Sequence, residues 1–458
     1  SVYIFPWQQP ELIGGCITLM WLAAYSSVNT HFDVSERKKS GDDDLRELNA
    51  LHPFESLRRI LDASQIDLPP DLPASCCGLF GYLGYDMIRL IEDLPNINPE
   101  RFDIPDARLV RPNIVAVWDA IRSEVTIVSP VWHAAHVRAD AAYEEACQRV
   151  TAALGRLRTR MPIPEQQSRS GDQGVGEPVS EISCETFMSM VERAREYIAA
   201  GDIFQVVPSH CWVMEYPLPP LALYRSLRRT NPSPFMFYFN FPDCQIVGAS
   251  PEILVRVFDN EVTIRPLAGT RPRGATLEED RRLADDLLAD EKERAEHLML
   301  LDLGRNDVGR VSRLGTVRPT ESFIIERYSH VMHIVSNVTG QLDDPHDALS
   351  ALMAGLPAGT VSGAPKVRAM EIIDELECCK RGIYGGGIGY FAANGDMDMC
   401  IALRTGIVKD GKLYIQTGSG VVHDSDPRAE WQETVNKSGA LVQAARDAVA
   451  YCGQEAVE

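Results

Sequence analysis

Residues 235–266, FMFYFNFPDCQIVGASPEILVRVFDNEVTIRP, contain several short runs rich in aromatic and β-branched residues. The runs cover 235–241, 245–248, 253–258 and 261–266, and turn residues separate them. Such closely spaced runs predict consecutive antiparallel strands. This part of the chain therefore indicates a fold with antiparallel sheets and not a regular alternation of strand and helix.

Helix signals lie on both sides of these strands. Residues 184–200 are predicted to form an amphipathic helix, because apolar side chains recur there at helical spacing. These side chains are Phe187, Met190, Val191, Ala194 and Ile198. Thr276 and Glu279 form a capping-box pattern, which predicts the start of an acidic helix over 276–296.

Further turn and cap residues predict where other helices begin and end. Asp344–Pro345 and Pro365 predict two helix starts, Gly382 predicts a helix end, and Asp426–Pro427 predicts the start of the last helix. Residues 78–89, GLFGYLGYDMIR, are typical of a strand followed by a tight turn. Helices interleaved with antiparallel strands predict an α+β fold.

The composition is that of a soluble globular protein. Apolar residues make up 45% of the 458 residues, and the net charge of −20 argues against non-specific binding to nucleic-acid phosphates. The longest apolar stretch, 12–27, is too short for a membrane-spanning helix and lacks the basic flank of a secretory signal. The 11 cysteines show no CxxC spacing, so we expect reduced thiols and a cytoplasmic location.

The chain divides at a segment rich in Pro, Gly and polar residues. This segment, 159–182, predicts a linker between a first region, 1–158, and a second region, 183–458. A charged run at 36–47 predicts an exposed loop in the first region. The residues that could carry chemistry lie in the second region.

Two pairs of glutamates at i,i+3 spacing are the most suggestive chemical pattern. Glu293 and Glu296 lie in KERAEHLMLLDL, and Glu430 and Glu433 lie in AEWQETVNK. This spacing places both members of a pair on one helix face, and two facing pairs can hold a hard cation. Most such pairs are only a solvated face, and the charge of the helix predicted over 276–296 favours that interpretation for the first pair. Because the apolar HLMLLDL follows Glu296, however, we expect this end of the helix to be buried.

Several segments could bind an anion. Lys437 follows Glu433 by four residues, which is the spacing of a helix ion pair but also places a cation beside the predicted metal. The segments 418–422 (GSGVV) and 385–390 (GGGIGY) could expose backbone N–H groups, although most such segments only form tight turns. In 357–366 (PAGTVSGAPK), the predicted helix N-terminus would favour an anion.

Glu252 and His333 are further candidates. Glu252 lies between Pro251 and an apolar run, where a carboxylate is costly unless it is paired or protonated. His333 lies in an apolar strand, where a histidine is most often a hydrogen-bonded core residue. The sequence contains no nucleophile–base pattern, P-loop or dinucleotide-binding fingerprint. The residues alone therefore predict a cytoplasmic α+β metalloenzyme that acts on a small polyanion.

Together these segments resemble the chorismate-utilising enzymes, and among them the large subunits of anthranilate synthases. The resemblance is strong over 184–445 and looser over 78–95 and 110–130. The segments that carry it are GDIFQVVPS (201–209), NPSPFMFYF (231–239), GASPE (248–252), RPLAGTRPRG (265–274), EHLMLLDLGRNDVGRV (296–311), PAGTVSGAPKVRAMEIIDELE (357–377), GGIGY (386–390), CIALRT (400–405) and NKSGAL (436–441). The resemblance implies two large antiparallel β-sheets packed around a central cleft, with helices outside, and chorismate and magnesium in the cleft.

The resemblance also implies roles for individual residues, by motif position. Glu296 and Glu433 would be the principal magnesium ligands, with Glu293 and Glu430 nearby or bound through water. A larger set would bind chorismate, some members through its carboxylates and others along its ring. The expected carboxylate-binding residues are Tyr384, Arg404, Gly418, Ser419, Gly420 and Lys437, and the expected ring-lining residues are Gly269, Thr270 and Thr360.

Two positions discriminate between reactions within the family. Relatives that add water to chorismate carry a lysine base where this chain has Gln205, and para-aminating relatives typically carry a nucleophilic lysine where it has Ala268. The resemblance therefore implies a magnesium-dependent lyase that aminates the ortho position, giving anthranilate for tryptophan biosynthesis. Glu252 is the expected general acid, and His333 is the expected base or electrostatic helper. An aminodeoxychorismate synthase, an isochorismate or salicylate synthase, and a non-catalytic subunit remain as alternatives.

Ammonia has to be supplied to this reaction. The sequence shows no glutaminase signature, so we expect a separate glutaminase subunit, in a heterodimer or heterotetramer. Inhibition by L-tryptophan stays open. Pro234, Phe235 and Met236 match one wall of the family's tryptophan site, although they could be plain core packing. The Leu-Leu-Glu-Ser motif of the other wall is not found, which indicates a shortened or diverged start. No nucleic-acid or membrane partner is expected.

Overall fold

A computed structural model describes most of the chain. The described residues are 2–6, 17–20, 52–132, 137–159, 174–328 and 331–452. The loop predicted at 36–47 lies outside these residues, as do 160–173 of the predicted linker and most of the apolar stretch 12–27. The division into two regions joined by a linker therefore stays a prediction.

The secondary structure alternates between groups of strands and single helices. The strands are β1 Val2–Pro6, β2 Ile17–Met20, β3 Gly78–Leu83, β4 Ala107–Val110, β5 Val115–Asp119, β6 Glu124–Val128, β7 Val179–Ser180, β8 Gln205–Val206, β9 Ser209–Glu215, β10 Phe235–Asn240, β11 Gln245–Ser250, β12 Ile253–Phe258, β13 Glu261–Ile264, β14 Leu267–Pro272, β15 Arg318–Arg327, β16 Val331–Gln341, β17 Gly363–Ala364, β18 Gly387–Ala392, β19 Met397–Ile401, β20 Thr405–Lys409 and β21 Lys412–Gly418. The α-helices are α1 Pro53–Asp62, α2 Ala139–Arg158, α3 Cys184–Ala200, α4 Pro220–Thr230, α5 Leu277–Ala289, α6 Glu291–Gly309, α7 Ala348–Gly355, α8 Lys366–Leu376 and α9 Pro427–Asp447.

Two large antiparallel sheets organise these elements. Among the described residues, the first sheet has ten strands in the order β6-β5-β2-β1-β10-β11-β20-β21-β9-β7. The second sheet has nine, in the order β14-β16-β13-β12-β19-β18-β3-β4, with β15 beside β16. The short strands β8 and β17 pair with each other. This arrangement confirms the predicted α+β fold with two large antiparallel sheets.

The chain crosses from the first sheet to the second at Pro251 and Glu252. β10 pairs with β11 in the first sheet, whereas β12 pairs with β13 in the second. β11 ends at Ser250 and β12 begins at Ile253, and Pro251 has no N–H group with which to continue a ladder. The four predicted strands are thus confirmed, and they divide between the two sheets. Glu252 lies at the crossing itself.

Side chains from both sheets form a common core. Phe237 and Phe239 of the first sheet are buried in one cluster with Phe80 and Tyr390 of the second. Burial of each such side chain stabilises the fold by ~1.5–3 kcal/mol. The core therefore fixes the two sheets relative to each other, and with them the position of Glu252.

The helices that carry the glutamate pairs lie on different sheets. α6, with Glu293 and Glu296, packs on β14 and β16 of the second sheet. α9, with Glu430 and Glu433, packs on β21 of the first sheet and against α3 and α4. Each sheet thus positions one of the two helices that carry the glutamate pairs.

Some predicted helix boundaries are confirmed and one is wrong. Confirmed are the helix over 184–200 and the starts at Pro365 and Asp426–Pro427. The helix end predicted at Gly382 is wrong, because α8 already ends at Leu376. Gly382 instead lies in a later turn, where its φ of 58° requires the left-handed conformation that glycine adopts easily.

The acidic helix predicted over 276–296 is also wrong as a single helix. Its start is correct, since Thr276 caps α5. Asp290 ends α5, and its carboxylate accepts hydrogen bonds from the first N–H groups of α6, so the chain bends and begins a second helix. A smaller shift occurs at Asp344–Pro345, where α7 begins three residues later with Asp347 as its N-cap.

Candidate active site

Glu252 is a buried carboxyl at the crossing between the two sheets. Only 6% of its surface is exposed. Burial raises its pKa from 4.5 to about 8, because the charged carboxylate would lose its hydration there. The Thr360 hydroxyl, the Leu267 backbone and the charges of Arg404 and Lys437 oppose this rise. Glu252 therefore carries a proton at neutral pH and can donate it.

The guanidinium of Arg404 faces this carboxyl without a partner. Burial lowers the pKa of Arg404, and no residue in the described ranges forms an ion pair or side-chain hydrogen bond with it. Its backbone φ is 47°, which non-glycine residues rarely adopt. An unpaired cation that is withdrawn from solvent costs folding free energy, and so does a strained backbone. The combination at Arg404 indicates a binding site for an anion.

His333 is a neutral imidazole with a defined tautomer. Its Nδ1 lies 2.9 Å from the Gly269 carbonyl oxygen and 3.1 Å from Thr270 Oγ1. A carbonyl oxygen can only accept, so Nδ1 carries the proton and Nε2 is unprotonated. Burial, together with the charges of Arg404 and Lys437, lowers the pKa of His333 to about 4. Gly269 and Thr270 therefore form one hydrogen-bonded group with His333, whereas the third predicted ring-lining residue, Thr360, lies at Glu252.

A glycine-containing segment brings the backbone close to polar side chains. A side chain at Gly418 would come within 2.9 Å of Tyr384 Oη, and one at Gly420 within 2.9 Å of Gln205 Nε2. Lys437 Nζ donates to the Gly418 carbonyl oxygen at 2.9 Å, which ties the segment to α9. Only glycine permits this close approach at both positions.

Negative charge gathers between α6 and α9. The pKa of Glu296 is raised by burial and then by the charges of Glu293 and Glu433. Glu296 Oε1 accepts a hydrogen bond from Gln205 Nε2 at 3.1 Å. Glu433 lies 2.7 Å from Lys437 Nζ. The carboxylates from the two helices thus act on each other, and each has one polar partner.

The other two glutamates are turned to different partners. Glu293 lies 3.4 Å from Arg271, and Glu430 accepts a hydrogen bond from the Ser419 hydroxyl. No group of three or more His, Cys, Asp or Glu in the described part of the chain is arranged to hold a metal ion. The structure therefore brings Glu296 and Glu433 to one region and does not close the four glutamates into a ligand set.

Phe235 and Met236 make ordinary core contacts. Phe235 belongs to the core between the sheets, whereas Met236 packs in a second cluster on the opposite face of β10. Successive strand residues alternate in this way. β10 pairs with β1, whose neighbours along the chain lie outside the described residues. A tryptophan site at Pro234, Phe235 and Met236 stays a prediction.

A buried ion pair lies next to Tyr384, and the sequence motifs did not predict it. Arg381 and Glu377 are 2% and 7% exposed. The Arg381 guanidinium pairs with Glu377 and donates to the carbonyl oxygens of Val207 and Val361. It also lies 5.5 Å from the ring centroid of Tyr384. The i,i+4 spacing was a possible signal, but such pairs usually lie on exposed helix faces.

A family model described as chorismate binding enzyme matches residues 18–443. The chain belongs to the chorismate-binding enzymes. Its resemblance to them therefore extends over both predicted regions, including the first, where the motifs were looser.

Individual chorismate-binding enzymes are similar over most of their length. Anthranilate synthase component 1 of Cereibacter sphaeroides is 65% identical, over 87% of this chain and 79% of the relative. The protein of that name from Pseudomonas putida is 53% identical, over 82% and 76%. The crystal structure of anthranilate synthase component I from Streptococcus pneumoniae superposes with a TM-score of 0.76 at 40% identity, over 84% of this chain and 85% of that one.

A more distant chorismate-binding enzyme shares the fold. The menaquinone-specific isochorismate synthase of Escherichia coli superposes with a TM-score of 0.66 at 20% identity, over 86% of this chain and 83% of that one. These findings confirm the predictions of family, fold and enzyme class made from the motifs. No helix among the described residues is long and apolar enough to cross a membrane.

Proposed function

We propose that the chain is the chorismate-binding component that converts chorismate and ammonia to anthranilate and pyruvate for tryptophan biosynthesis. The observation that carries this proposal is the protonated, buried Glu252 beside the unpaired Arg404. Together they supply a proton donor and an anion-binding cation whose charges act on each other. Gln205 and the buried Ala268 favour ortho-amination, because neither can act as a base or as an amine nucleophile.

Chorismate would be held through its two carboxylates. Arg404 offers a planar fork that matches a carboxylate, and Lys437 offers a second cation. The segment Gly418, Ser419 and Gly420 lies beside Lys437, which donates to the Gly418 carbonyl oxygen. The Ser419 N–H already donates to the Pro208 carbonyl oxygen, so the Gly420 N–H is the backbone donor that we assign to the substrate. Binding of a carboxylate would compensate the charge of Arg404, whereas Lys437 already pairs with Glu433 and would share its charge with the substrate. The anion would lie next to Glu252, since the charges of both cations act on the pKa of that carboxyl.

Magnesium would be held by Glu296 and Glu433. Their mutual repulsion fits a site that gains a divalent cation, and Mg²⁺ typically takes only one or two carboxylates and completes its shell with water and substrate. When bound, it would neutralise the ring carboxylate of chorismate and draw electron density from the ring. Glu293 and Glu430 would act through water, since Arg271 and Ser419 already engage them.

Gln205 would orient the ammonia. Its Nε2 is committed to Glu296, whereas its Oε1 is buried without a partner among the described residues. A buried acceptor without a partner is costly, so it is suited to a ligand that donates a hydrogen bond. Ammonia held by Oε1 keeps its lone pair free for attack on C2 of chorismate.

Glu252 would protonate the leaving hydroxyl. As the C2–N bond forms, the ring double bonds shift and the C4–O bond breaks, and the Glu252 proton goes to the departing oxygen, which leaves as water. The positive charge of Arg404 beside the new carboxylate stabilises this state. The bound amine then loses one proton, which restores neutrality.

His333 would assist the second half of the reaction, in which the C3–O bond breaks and C2 loses its proton. The methylene carbon of the enolpyruvyl side chain gains one proton in exchange, and the side chain leaves as pyruvate. Its unprotonated Nε2 can accept a hydrogen bond. A pKa of about 4 makes the imidazole a weak base. We therefore assign His333 the role of electrostatic helper over that of general base.

A partner glutaminase would supply the ammonia, in a heterodimer or heterotetramer. Several relatives are named component 1, which indicates a second component in those enzymes. A cytoplasmic location is part of this proposal. All cysteines in the described residues are free, as expected in a reducing compartment.

Product identification tests the proposal. The purified chain is incubated with chorismate, magnesium and ammonium, and the products are separated by chromatography. We expect anthranilate and pyruvate, with no product when glutamine replaces ammonium or when magnesium is chelated. A para-aminated or hydroxylated product would contradict the proposed reaction, and turnover with glutamine would contradict the need for a partner.

A further inference from the structure

A small cavity lies behind Glu252, towards α6. Its volume is about 20 Å³, enough for a single water molecule. Glu252 and Thr360 line one side, and Gly304 and Asp307 of α6 line another. The remaining lining is largely apolar and consists of Ile253, Leu254, Ile264, Pro266, Leu300, Leu303, Gly355, Ala358 and Gly359.

One polar atom in this cavity lacks a partner. Asp307 Oδ1 is buried and forms no hydrogen bond with any residue that the structure describes, whereas the Thr360 hydroxyl acts on the Glu252 carboxyl. Buried polar atoms nearly always have a partner, and an ordered water commonly provides it. A water in the cavity can reach carboxyl and hydroxyl groups at its polar ends. The cavity thus connects the general acid with a second buried carboxyl.

Asp307 links the cavity to the surface of the protein. Its other oxygen, Oδ2, accepts a hydrogen bond from Lys366 Nζ at 2.8 Å. The side chain of Asp307 is 5% exposed, and that of Lys366 is 13% exposed. Burial raises the pKa of Asp307, and the charges of Lys366 and Arg310 oppose the rise. Asp307 therefore lies between a partly solvated ammonium group and the interior cavity.

If the proposed function is correct, Glu252 needs a route by which a proton can return to its carboxylate. It loses a proton in every turnover and is itself buried. Arg404, Lys437 and Tyr328 are the charged or titratable groups that face it from the substrate side, and bound chorismate would cover that side. The cavity behind Glu252 would then be the remaining route by which a proton can return.

We propose that Asp307 and a water in this cavity return the proton to Glu252, a route that rests on the proposed function. The cavity water gives a proton to the Glu252 carboxylate and takes one from Asp307, and Asp307 takes one from solvent beside Lys366. The proton that the aminated intermediate releases to solvent balances the one taken up. The Thr360 hydroxyl holds the water between the two carboxyls.

Gly304 offers a variant that fills the cavity without disturbing the fold. A methyl group at Gly304 would meet Ile264 and Pro266 at 3.4–3.9 Å, which is ordinary contact. Gly304→Ala should therefore fold, and it removes the space for water. Gly309→Ala is the matched control on the same helix, since a methyl group there would meet nothing within 4 Å.

Asp307→Asn removes the titratable group and keeps the shape. Asp374→Asn is its matched control, because Asp374 on α8 forms a buried ion pair with Arg89 whose side chains are 5% and 12% exposed. Both changes remove one charge from an ion pair of similar burial. Only Asp307 lines the cavity behind Glu252.

The first turnover and the steady state are measured by rapid quench at a pH below 8. Glu252 starts protonated, so Gly304→Ala and Asp307→Asn should form the first equivalent of product at the wild-type rate. Their later turnovers should be slower at least about tenfold, since return of the proton becomes limiting. The controls should match the wild type within about twofold in both phases.

Two results would overturn the relay. Equal slowing of the first and later turnovers would assign Gly304 and Asp307 a structural role, and unchanged steady-state rates would show that the proton returns elsewhere. A crystal structure supplies a readout besides activity, with a water in the wild-type cavity and none in Gly304→Ala. A wild-type chain that forms no anthranilate would contradict the proposed function and the relay with it, whereas an active wild type with unaffected variants would contradict the relay alone.

Discussion

Gln205 donates a hydrogen bond from Nε2 to Glu296 Oε1 at 3.1 Å, and its own Oε1 stays buried without a partner in the described part of the chain. Gln205 stands where the water-adding relatives carry a lysine base, and Glu296 is a proposed magnesium ligand, so the contact links these two functional positions. It fixes the amide so that an acceptor, and not a donor, is available to a small nucleophile. Ammonia can donate to that acceptor and still attack.

Gln205→Leu should therefore weaken the use of ammonia. The leucine side chain is similar in size but cannot accept a hydrogen bond, so we expect the KM for ammonium to rise about tenfold. The KM for chorismate should stay within about twofold, because Arg404 and Lys437 are unchanged. Steady-state rates at varied ammonium and fixed magnesium measure both constants. An unaltered ammonium KM would remove Gln205 from this role.

Glu252→Gln should nearly abolish turnover. Glutamine keeps the shape but cannot give up a proton, so kcat should fall about 10²- to 10⁴-fold while the dissociation constant of chorismate changes little. In the wild type, kcat should fall as the pH rises through about 8, because only the protonated form of Glu252 is active. Full activity at pH 9.5 would contradict the acid role.

The same substitution should make the protein more stable at alkaline pH. The folded-state pKa of about 8 lies above the ordinary 4.5 of a glutamate, so ionisation favours the unfolded chain. Stability is thus fully present below pH 4.5 and is lost as the pH rises towards 8. Glu252→Gln removes this loss, on the order of 5 kcal/mol above pH 8.

Urea unfolding at pH 5 and pH 8.5 measures this effect. The stability difference between Glu252→Gln and the wild type should grow in favour of the variant between the two values. A constant difference would show that the Glu252 carboxyl is not held in its protonated form by burial.

Arg404 should be a second residue that favours binding of chorismate but lowers the stability of the folded chain. Arg404→Gln removes an unpaired cation, so the melting temperature should rise, while the KM for chorismate should increase about 10- to 100-fold. Arg256→Gln is the control, because Arg256 is paired with Asp398 at 2.8 Å. That variant should lose stability, since it leaves a buried carboxylate alone. A lower melting temperature for Arg404→Gln would indicate that Arg404 has a partner in the folded chain.

The local patterns predicted several elements correctly. The strands between 235 and 266 and the helix over 184–200 follow from apolar periodicity, which the structure reproduces. The break at Asp290 could not be predicted, because Asp290 is one of many acidic residues in that segment and its capping role depends on where the chain bends. Gly382 resembled a helix end because its turn follows α8 closely in sequence.

The arrangement of the site depended on contacts between distant segments. The sequence indicates that Glu252 is unusual, because its carboxylate lies beside an apolar run. Its position between the two sheets, however, follows from the pairing of β11 with β20 in one sheet and of β12 with β19 in the other. Arg381 and Glu377 are only four residues apart, but the carbonyl oxygens of Val207 and Val361 that help to bury Arg381 come from distant segments. The lining of the Asp307 cavity likewise comes from several distant segments. Spacing within one helix cannot reveal which neighbours will bury a charge.

Isotope labelling distinguishes ortho-amination from para-amination and from hydration. The wild-type chain is supplied with chorismate, magnesium and ¹⁵N-ammonium, and the product is examined by mass spectrometry and NMR. The account predicts anthranilate that carries one ¹⁵N on the ring carbon next to the carboxylate. Label on the para carbon, or an unlabelled hydroxylated product, would contradict it.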